Sequence, residues 1–551
     1  NVWRNERKLY KRDCDLCKKS FIFMYPKDTI FPVYCRDCWL SDKWNPKDYG
    51  QEYDFNKPFF EQWYGLFNKV PRVGVIKQGE SVNSLYTNRV TDMRNCYLVF
   101  ATTIAENSRY SAFINSSKEC LDCYSAFNSE QCSECIDCVG CYNVHYSQES
   151  QECRDSMFLF NCRNVSNCIG CVNIRNGKYM IFNEQFSKED YELKRVELLK
   201  GSHNSYKSIK NKLRELKKIN IVPNIIALRI DRSTGNWIAD AKMATKSFNV
   251  KNVENIRYAQ NVFNAKDCMD YSQWGAGSEM IYEAVNCGIQ CGRVKFANEC
   301  WSQLMDSEYC TNCHQSSYLF GCNGVRNGQY CILNKQYSRE SFDSLKLKIK
   351  NQMLKIPYID AKGIEYRYGE FFPEEFSPFG YNETTAQELF PLTKAQAIQD
   401  GHKWHDEEDR DYNITMEVEN MPDSIVDVQE DLTKQIIECE HKGACSDLCT
   451  VAFRILQEDL QFYKNHNLPI PKLCPNCRHF ERLSQRNPLK LWSRKCQCAG
   501  AKSDNGLYVN NATIHKSHEQ NTHCSNEFQT SYSPDKDEIV YCLECYQSEV
   551  V

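Results

Sequence analysis

Cysteine pairs with the spacing of metal knuckles lie near both ends of this chain. In the first example, the pair Cys14 and Cys17 is followed by the pair Cys35 and Cys38. Two CxxC knuckles arranged in this way can present four thiolates tetrahedrally to one Zn²⁺. An ion held by four cysteines keeps no open coordination position, so the expected chemistry is structural stabilisation.

A second candidate set lies in the C-terminal part. Cys445 and Cys449 form a knuckle with three intervening residues, and Cys474 and Cys477 form a CxxC knuckle further along the chain. Cys439 is an additional or substitute ligand for the same ion. These ligand types and spacings predict a second zinc module.

The last candidate set repeats the first in sequence. Residues 21–38 match 528–545 at an offset of 507, whereas residues 8–14 match 490–496 at an offset of 482. The predicted ligands are Cys496, Cys524, Cys542 and Cys545. The difference between the offsets is an insertion of 25 residues that includes Cys498, His515, His518 and His523, and Cys498 competes with Cys496 for the first ligand position. The sequence therefore predicts about three Zn²⁺ per chain.

The same alignment bears on the beginning of the chain. Arg4-Asn5 aligns with Arg486-Asn487, which follows the Cys474/Cys477 knuckle. The N-terminal ribbon is therefore expected to have its own preceding CPxCR knuckle, and the sequence that begins at Asn1 is expected to be part of a longer product.

Composition favours a reducing compartment and shows no bias towards nucleic acid. Many of the 33 cysteines fall in CxxC pairs, which indicates metal binding more than disulfides. The net charge of −4 lacks the strongly basic character typical of nucleic-acid-binding domains. No apolar run of roughly 18 residues and no signal-peptide pattern is found, so neither a membrane span nor secretion is predicted. The expected location is an intracellular reducing compartment, the cytoplasm, or a virion.

Two charged stretches stand out from this neutral balance. A basic stretch covers 194–218 and an acidic stretch covers 406–431. Both are interpreted as solvated surface.

Short strands in a repeat are predicted to carry most of the remaining cysteines. From about Ser81 the chain divides into units with a period of 12, most of which open with a polar pair, then Cys or Ser, then a short apolar run. Such units predict a β-solenoid, whose coils stack because one coil cannot bury its inner face alone. The units are 94–105, 106–117, 118–129 and 130–141, then, after a shorter unit, 151–162, 163–174 and 175–186.

The densest cysteine run admits two interpretations. It comprises Cys120, Cys123, Cys132, Cys135, Cys138 and Cys141. A metal or iron–sulfur cluster is one possibility. A buried thiol ladder is favoured, because the spacing of three follows the repeat and because Tyr271 stands in the second copy where the first has Cys123.

A motif of Gly-Cys, Arg-Asn-Gly and an aromatic residue ends the repeat and recurs at an offset of 151. It contains Asn176-Gly177 in the first copy and Asn327-Gly328 in the second. Asn-Gly is typical of a tight turn that needs positive φ, so each glycine is expected to adopt it and a terminal hairpin is expected to follow. The duplication predicts two equivalent repeats.

Helices are predicted to cover the open end of each repeat. Ser187 and Ser338 are the expected N-caps, and the helices are expected over 188–218 and 339–354. The fold class is therefore mainly β, with duplicated β-solenoid-like Cys-rich repeats and capping helices flanked by zinc-ribbon modules. The predicted domains are 1–80 (N-terminal zinc ribbon and aromatic segment), 81–218 and 219–355 (the two repeats with their helices), 356–432 (an extended acidic linker) and 433–551 (two C-terminal zinc-ribbon modules).

In these motifs the chain resembles an uncharacterised family of multi-zinc-ribbon, Cys-rich repeat proteins of candidate-phylum bacteria and giant viruses. The resemblance covers nearly the whole chain and rests on the CDLC and YCRDCW pair, the doubled GCxxxRNGxY motif, the segment 377–384, and Pro469-Ile470-Pro471 before Cys474. It implies no particular activity. The insertion at 499–523 departs from the family's usual short CxxC.

Three classes of function compete. An enzyme is not predicted, because the candidate metal sites are closed and no GxSxG, HExxH, P-loop or dinucleotide motif is present. The predicted function is a non-catalytic, zinc-stabilised scaffold that binds other proteins in an assembly, and a virion or minor capsid component if the source is a giant virus.

The alternative is a nucleic-acid-binding zinc-ribbon protein. It would use basic residues near the C-terminal knuckles, namely Arg478, Arg482, Arg486, Arg494 and Lys495. On the scaffold hypothesis the same residues serve solubility or pair with an acidic surface such as 406–431.

Overall fold

The computed structural model describes residues 1–406, 412–512, 515, 518, 519 and 521–551, and it is mainly β, as predicted. Residues 407–411, which carry much of the predicted acidic stretch, lie outside the described residues. Within the described part of the chain, no helix has both the length and the apolar character that a membrane span requires.

The N-terminal module combines a small hairpin with short helices. Its elements are β1 (Tyr10–Asp13), β2 (Ser20–Phe23), β3 (Val33–Tyr34), α1 (Arg36–Leu40), a 3₁₀ helix (Pro46–Tyr49), α2 (Phe59–Phe67) and β4 (Arg72–Val73). β1 pairs antiparallel with β2, and β3 pairs parallel with β4. Trp39 and Trp63 are buried, so these two residues of the aromatic segment belong to the core.

The first repeat consists of short strands that pair in parallel. Its strands are β5 (Lys77–Val82), β6 (Thr87–Arg94), β7 (Val99–Glu106), β8 (Ser117–Lys118), β9 (Tyr124–Phe127), β10 (Ile136–Val139), β11 (Tyr142–His145), β12 (Arg154–Met157), β13 (Ser166–Ile169), β14 (Lys178–Ile181) and β15 (Glu184–Gln185). Thr87 pairs with Val99 and Tyr142 with Arg154, so the pairing follows the sequence period of 12.

Left-handed backbone recurs at every third residue of this repeat. Asn95, Leu98, Ala101 and Ile104 have φ values of 52°, 52°, 48° and 56°. Asn and Asp adopt this conformation more readily than other residues that have a Cβ, which explains their frequency at these positions. The sequence repeat of 12 thus contains a structural period of three.

From Cys96 to Cys171, the residue after each left-handed position is buried in the interior of the repeat. Cys138 Sγ lies 3.5 Å from the carbonyl oxygens of Ile136 and Ser147. One coil further, Ser150 Oγ accepts the N–H of Cys162 at 3.3 Å. Small side chains that can donate to carbonyl groups therefore fill the interior. Among the described residues, no group of ligand atoms within 4.8 Å of one another includes a member of the run 120–141, which agrees with a thiol ladder.

The register of 12 continues where the sequence pattern predicts a shorter unit. Glu130 pairs with Tyr142, and Val139 pairs with Gln151. The prediction of a shorter unit before residue 151 was wrong. The unit after 142–153 begins at 154, and a unit begun at 151 is shifted from it by one period of three, so the two choices look alike in sequence.

Two helices follow the first repeat, α3 (Lys188–Leu198) and α4 (His203–Lys218), where one helix over 188–218 is predicted. Ser187 Oγ accepts the N–H of Asp190 at 3.0 Å, which confirms the predicted N-cap. Gly201 lies in the break between the helices with a φ of 61°.

The second repeat is entered through β16 and is less regular. Its elements are β16 (Ile221–Pro223), β17 (Ala227–Asp231), β18 (Gly235–Thr245), β19 (Ser247–Arg257), β20 (Gln260–Gly288), β21 (Gly292–Asn298), β22 (Glu308–Thr311), β23 (Ser317–Phe320), β24 (Gln329–Ile332), β25 (Lys335–Gln336) and α5 (Arg339–Lys355). Gly235 pairs with Ser247, a step of 12, but Ile281 pairs with Val294, a step of 13. Gly275 lies before this extra residue with a φ of 123°, and a Cβ there would lie 2.0 Å from the Phe263 carbonyl oxygen, so only glycine fits.

A hairpin ends each repeat, but its turn does not lie at Asn-Gly. The positive φ falls on Asn176 (57°) and Asn327 (50°), so the expectation of positive φ at the following glycines was wrong. β14 instead turns into β15 at Phe182 and Asn183, whose φ values are 49° and 67°. Gly177 is an interior position, where a Cβ would lie 2.5 Å from Ile174 Cγ2.

The described residues of the segment 356–432 are folded and packed against the rest of the chain. Its elements are β26 (Tyr358–Ile359), β27 (Glu365–Tyr366), α6 (Thr385–Leu389), α7 (Lys394–Gln399) and 3₁₀ helices at Glu374–Phe376, Tyr381–Glu383, Val418–Asn420, Ile425–Asp427 and Glu430–Lys434. The ring of Phe372 lies 4.3 Å from that of Trp63, and the ring of Phe379 lies 5.3 Å from that of Tyr25. The described part is therefore not the extended linker that the acidic sequence predicts, because its aromatic residues complete the N-terminal core.

The C-terminal part holds two further modules. Their elements are β28 (Ile437–Glu438), β29 (Ala452–Phe453), α8 (Gln457–Asn465) and α9 (Pro475–Ser484) in the middle module, and β30 (Trp492–Lys495), β31 (Glu527–Thr530), β32 (Ile539–Tyr541) and α10 (Leu543–Val550) in the C-terminal module.

Candidate metal centres

The N-terminal module brings its four predicted ligands together. The sulfur atoms of Cys14, Cys17, Cys35 and Cys38 all lie within 4.8 Å of one another. The backbone N–H of Cys35 donates to Cys14 Sγ at 3.2 Å, and Cys17 Sγ lies 3.9 Å from Cys35 Sγ. Tetrahedral zinc with bonds of about 2.3 Å places sulfur atoms about 3.8 Å apart, so this geometry fits a zinc ion.

The C-terminal module repeats this geometry with Cys496, Cys524, Cys542 and Cys545. The N–H of Cys542 donates to Cys496 Sγ at 3.2 Å, as Cys35 does to Cys14. Cys524 Sγ lies 3.9 Å from Cys542 Sγ. The structure therefore places Cys496, and not its competitor Cys498, in the first ligand position.

The middle module uses a cysteine that the predicted set left as a substitute. Cys439, Cys449, Cys474 and Cys477 lie within 4.8 Å of one another, and Cys445 is not in this group. The N–H of Cys474 donates to Cys439 Sγ at 3.2 Å, which is the bond that identifies the first ligand in the other two modules. Cys445 and Cys449 are separated by three residues, and this spacing led to the wrong prediction that both bind the same ion. Residues 440–448, which include Cys445, form an insertion between the first ligand, Cys439, and the second ligand, Cys449.

A helix begins at the second cysteine pair of every module. Cys35, Cys474 and Cys542 are the N-cap residues of α1, α9 and α10. The positive end of a helix stabilises nearby thiolates, which favours the ligand form of the cysteines.

The N-terminal module contacts both repeats. Arg36 Nε of α1 donates to the carbonyl of Lys77, in β5 of the first repeat, at 3.0 Å, and the side-chain amide of Asn88, in β6, donates to the carbonyl of Glu6 at 3.2 Å. Phe59 of α2 packs on Phe320 of the second repeat with ring centroids 5.2 Å apart.

The C-terminal module also contacts both repeats, but it lies at the entry of the second repeat and reaches back to the first. The N–H of Asn224, just after β16, donates to the Tyr541 carbonyl at 2.8 Å, and β16 leads into the second repeat. Tyr546 of α10 contacts Asn173 of the first repeat at 3.2 Å. Each terminal module thus joins the two repeats.

Three of the five predicted nucleic-acid-binding residues, Arg478, Arg482 and Arg486, form buried ion pairs within the chain. Arg478 Nε lies 2.9 Å from Asp122. Arg482 lies 3.1 Å from Asp122 and 3.2 Å from Glu134. Burial raises the pKa of Glu134 to about 7, and Arg482 opposes this shift.

Arg486 completes this row with two bonds to Asp137 at 2.8 and 3.0 Å. The three carboxylates occupy left-handed positions of the first repeat, from which they face α9 and the residues after it. The first repeat is therefore the acidic partner of these three arginines, whereas the stretch 406–431 was expected in that role.

The other two basic residues lie elsewhere. Arg494 donates to the carbonyl of Ser533 at 3.2 Å, which matches the bond of Arg12 to the Pro26 carbonyl in the N-terminal module. Lys495 is 78% exposed and lies 3.1 Å from Glu527. Of the five residues, Lys495 presents the most accessible charge.

Sequence analysis missed two further groups of potential ligands. One comprises Cys498, His515, His518 and Cys545, and the other comprises His441, Cys445, Asp447 and Cys477. In each group three members lie in the insertion between the first and second ligands of a C-terminal module, and the fourth is the last ligand of that module's tetrathiolate group. The signal that was available is the occurrence of Cys and His inside those insertions.

Comparisons with known proteins give no assignment. No protein-family model matches the chain, and no curated protein matches it. Among solved structures, a protein from Desulfovibrio desulfuricans G20 that is named as an acetyltransferase matches 53% of this chain and 88% of its own, with 9% identity and a TM-score of 0.11. At that TM-score the match carries no information about fold or activity.

Proposed function

We propose that this chain is a non-catalytic scaffold, in which zinc-bound ribbon modules hold two β-solenoid repeats in a fixed arrangement and the repeats bind other proteins. The observation that carries the proposal is the double attachment of each terminal module. The N-terminal module contacts the first repeat through Arg36 and Glu6 and packs on the second repeat through Phe59. The C-terminal module pairs with β16 at the entry of the second repeat and contacts the first through Tyr546.

The solenoid assignment is supported by the parallel register. Successive strands pair at steps of 12 or 13 over most of both repeats. Interior thiols and hydroxyls bond to carbonyl groups of the same coil and of the next. A stack of this kind exposes long rigid faces, which suit the binding of partner proteins.

A structural role for zinc follows from the donor sets. Four thiolates complete the tetrahedral shell that zinc prefers, so no position remains for a substrate or an activated water. Binding of the ion would stabilise each folded module, because such sites do not exist in the unfolded chain.

Nucleic-acid binding is the competing proposal, and the ion pairs weaken it. Arg478, Arg482 and Arg486 would have to leave buried carboxylates to reach phosphate groups. Breaking a buried ion pair costs about 3–5 kcal/mol. Lys495 is exposed, but one lysine supplies little of the affinity that phosphate contacts provide.

Sedimentation of extracts from the source distinguishes the two proposals. A scaffold is expected to co-sediment with a protein assembly after the extract has been treated with nuclease. The scaffold proposal is wrong if nuclease releases the chain as a free monomer, or if the purified chain binds DNA or RNA below micromolar concentration near physiological salt. Weak association, in the range of about 10⁻⁴–10⁻⁶ M and steeply salt-dependent, is expected of an unspecialised basic patch.

A further inference from the structure

Described residues of the insertion in the C-terminal module lie against the tetrathiolate group. Cys498, His515 and His518 lie beside Cys545, and the ligand atoms of the four residues all lie within 4.8 Å of one another. His515 Nδ1 lies 3.4 Å from Cys498 Sγ, and His518 Nε2 lies 3.3 Å from Cys545 Sγ. Tetrahedral zinc places sulfur and nitrogen ligands about 3.6 Å apart, so both distances suit a common ion.

Groups around these residues orient them as metal ligands. His515 Nε2, on the far side of the ring from Cys498, lies 2.9 Å from the carboxylate of Glu549, whose side chain is fully buried. The same carboxylate accepts the N–H groups of Asn511 at 2.7 Å and Ala512 at 3.2 Å. A histidine that ligates a metal usually donates its other N–H to such a carboxylate, which fixes the ring and its tautomer.

Cys498 has an orienting partner as well. The Asn510 side-chain amide lies 3.2 Å from Cys498 Sγ, and Asn510 Oδ1 accepts the hydroxyl of Tyr541 at 2.9 Å. Tyr541 belongs to β32, which is a strand of the zinc ribbon. The hydrogen bond between Asn510 and Tyr541 therefore joins the insertion to the ribbon.

We propose that the C-terminal module binds a second Zn²⁺ through Cys498, His515, His518 and Cys545, and that the Cys545 thiolate bridges the two ions. Two thiolates and two imidazoles form a closed structural set for zinc. The second ion also lowers the net negative charge of the buried group, because its positive charge is larger than the negative charge of the Cys498 thiolate. The second site rests on the proposed zinc ion of the tetrathiolate, since both use Cys545.

The other modules show what is specific to this site. The N-terminal module has no insertion between Cys14 and Cys17. In the middle module, Cys445 Sγ lies 3.7 Å from Cys477 Sγ, but His441 is 36% exposed and lies 3.8 Å from Asp447. A buried carboxylate that fixes the ring is part of the C-terminal site, and the proposal is confined to that site.

Native mass spectrometry of the full chain tests this proposal by counting bound zinc. Cys498→Ser and His515→Ala should each bind one zinc ion fewer than the unmodified chain. His523→Ala is the matched control, because His523 lies in the same insertion but pairs with Asp504 and is 49% exposed. The control should keep the full count.

Glu549→Gln tests the site without removal of a ligand. This variant should keep the second ion at high zinc concentration. It should lose that ion to a competing chelator at a chelator concentration roughly 10–100-fold lower than the unmodified chain requires, because the carboxylate no longer orients His515. An unchanged zinc count in Cys498→Ser and His515→Ala would overturn the second site alone. A chain that binds no zinc in any form would overturn the proposed function together with the second site.

Cobalt provides an independent measurement of the bridge. Two Co²⁺ ions that share the Cys545 thiolate should be magnetically coupled, and the coupling should vanish in Cys498→Ser while the tetrathiolate absorption remains. Uncoupled cobalt in the unmodified chain at full loading would contradict the bridging role of Cys545.

Discussion

The guanidinium of Arg482 lies 3.1 Å from the carboxylate of Asp122, and the two side chains are 1% and 2% exposed. The pair joins α9 of the middle module to a left-handed position of the first repeat. Two residues that are far apart in sequence thus meet in a buried contact, and Arg478 shares the same carboxylate. Three of the basic residues that could have indicated nucleic-acid binding, Arg478, Arg482 and Arg486, thus form buried ion pairs within the chain.

Asp122→Asn should therefore lower the free energy of unfolding by about 3 kcal/mol or more, since it leaves buried arginines without a full counter-charge. Asp155→Asn is the control, because Asp155 also has a left-handed backbone but is exposed and bonds to Asn143 of the preceding coil. Urea denaturation of both variants gives the comparison. Equal, small effects in the two variants would show that the Arg482 pair does not hold the module to the repeat.

Gly177→Val should destabilise the first repeat by about 1–3 kcal/mol through overpacking, because a side chain there would meet Ile174 and Met180. Asn176→Gly is the matched substitution at the neighbouring left-handed position, where glycine adopts the same φ without strain. Thermal unfolding should distinguish them. A larger loss in Asn176→Gly than in Gly177→Val would contradict the assignment of Gly177 to the interior.

Substitution of cysteine by serine should have different effects on zinc content in the thiol ladder and in the zinc groups. Cys138→Ser should keep the zinc content and most of the stability, because Ser150 already occupies the same interior column one coil away. Cys38→Ser removes a ligand and should release one zinc ion. Zinc analysis of both variants tests this difference. An iron chromophore that disappears in Cys138→Ser would show that the run 120–141 is a metal cluster.

Glu149 should make stability fall as pH rises. Burial first, and then the nearby carboxylate of Asp137, raises the pKa of Glu149 to about 8, whereas its ordinary value is 4.5. The folded chain therefore binds this proton more tightly than the unfolded chain, so the stabilisation is complete below about pH 4.5 and is lost as pH rises to 8.

Glu149→Gln removes this dependence. The variant should gain stability relative to the unmodified chain as pH rises through that window, by at most a few kcal/mol, since one pKa unit is worth about 1.4 kcal/mol. Because both proteins contain the same metal groups, the difference between their urea midpoints isolates Glu149. A difference that does not change from pH 5 to pH 9 would contradict the raised pKa.

Much of the architecture was predictable, because local patterns specify it. The repeat period of 12, the duplication at an offset of 151 and the Ser187 and Ser338 caps all depend on short-range sequence signals. The alignment of Cys14 with Cys496 likewise depends on local similarity, and the structure places both cysteines in equivalent positions.

The parts that were missed depend on contacts between distant segments. Cys439 replaces Cys445 because the chain between Cys439 and Cys449 loops out, which knuckle spacing alone does not reveal. Residues 372–379 were expected in a linker, but their aromatic side chains fill a core that also contains Phe59 and Trp63. The partner of Arg482 lies in the first repeat, far from it in sequence, and no local pattern specifies it.

Hydrogen exchange with and without a zinc chelator is the most direct test of the central claim. If zinc holds the ribbon modules on the two repeats, removal of zinc should greatly accelerate exchange of the Gly74 and Asn224 amides, which bond to Tyr34 and Tyr541. Amides within β12 and β13 of the first repeat should stay protected, because they pair with neighbouring coils. Unchanged protection of Gly74 and Asn224 after zinc has been removed, or a purified chain without zinc and with disulfides between its CxxC pairs, would contradict the account.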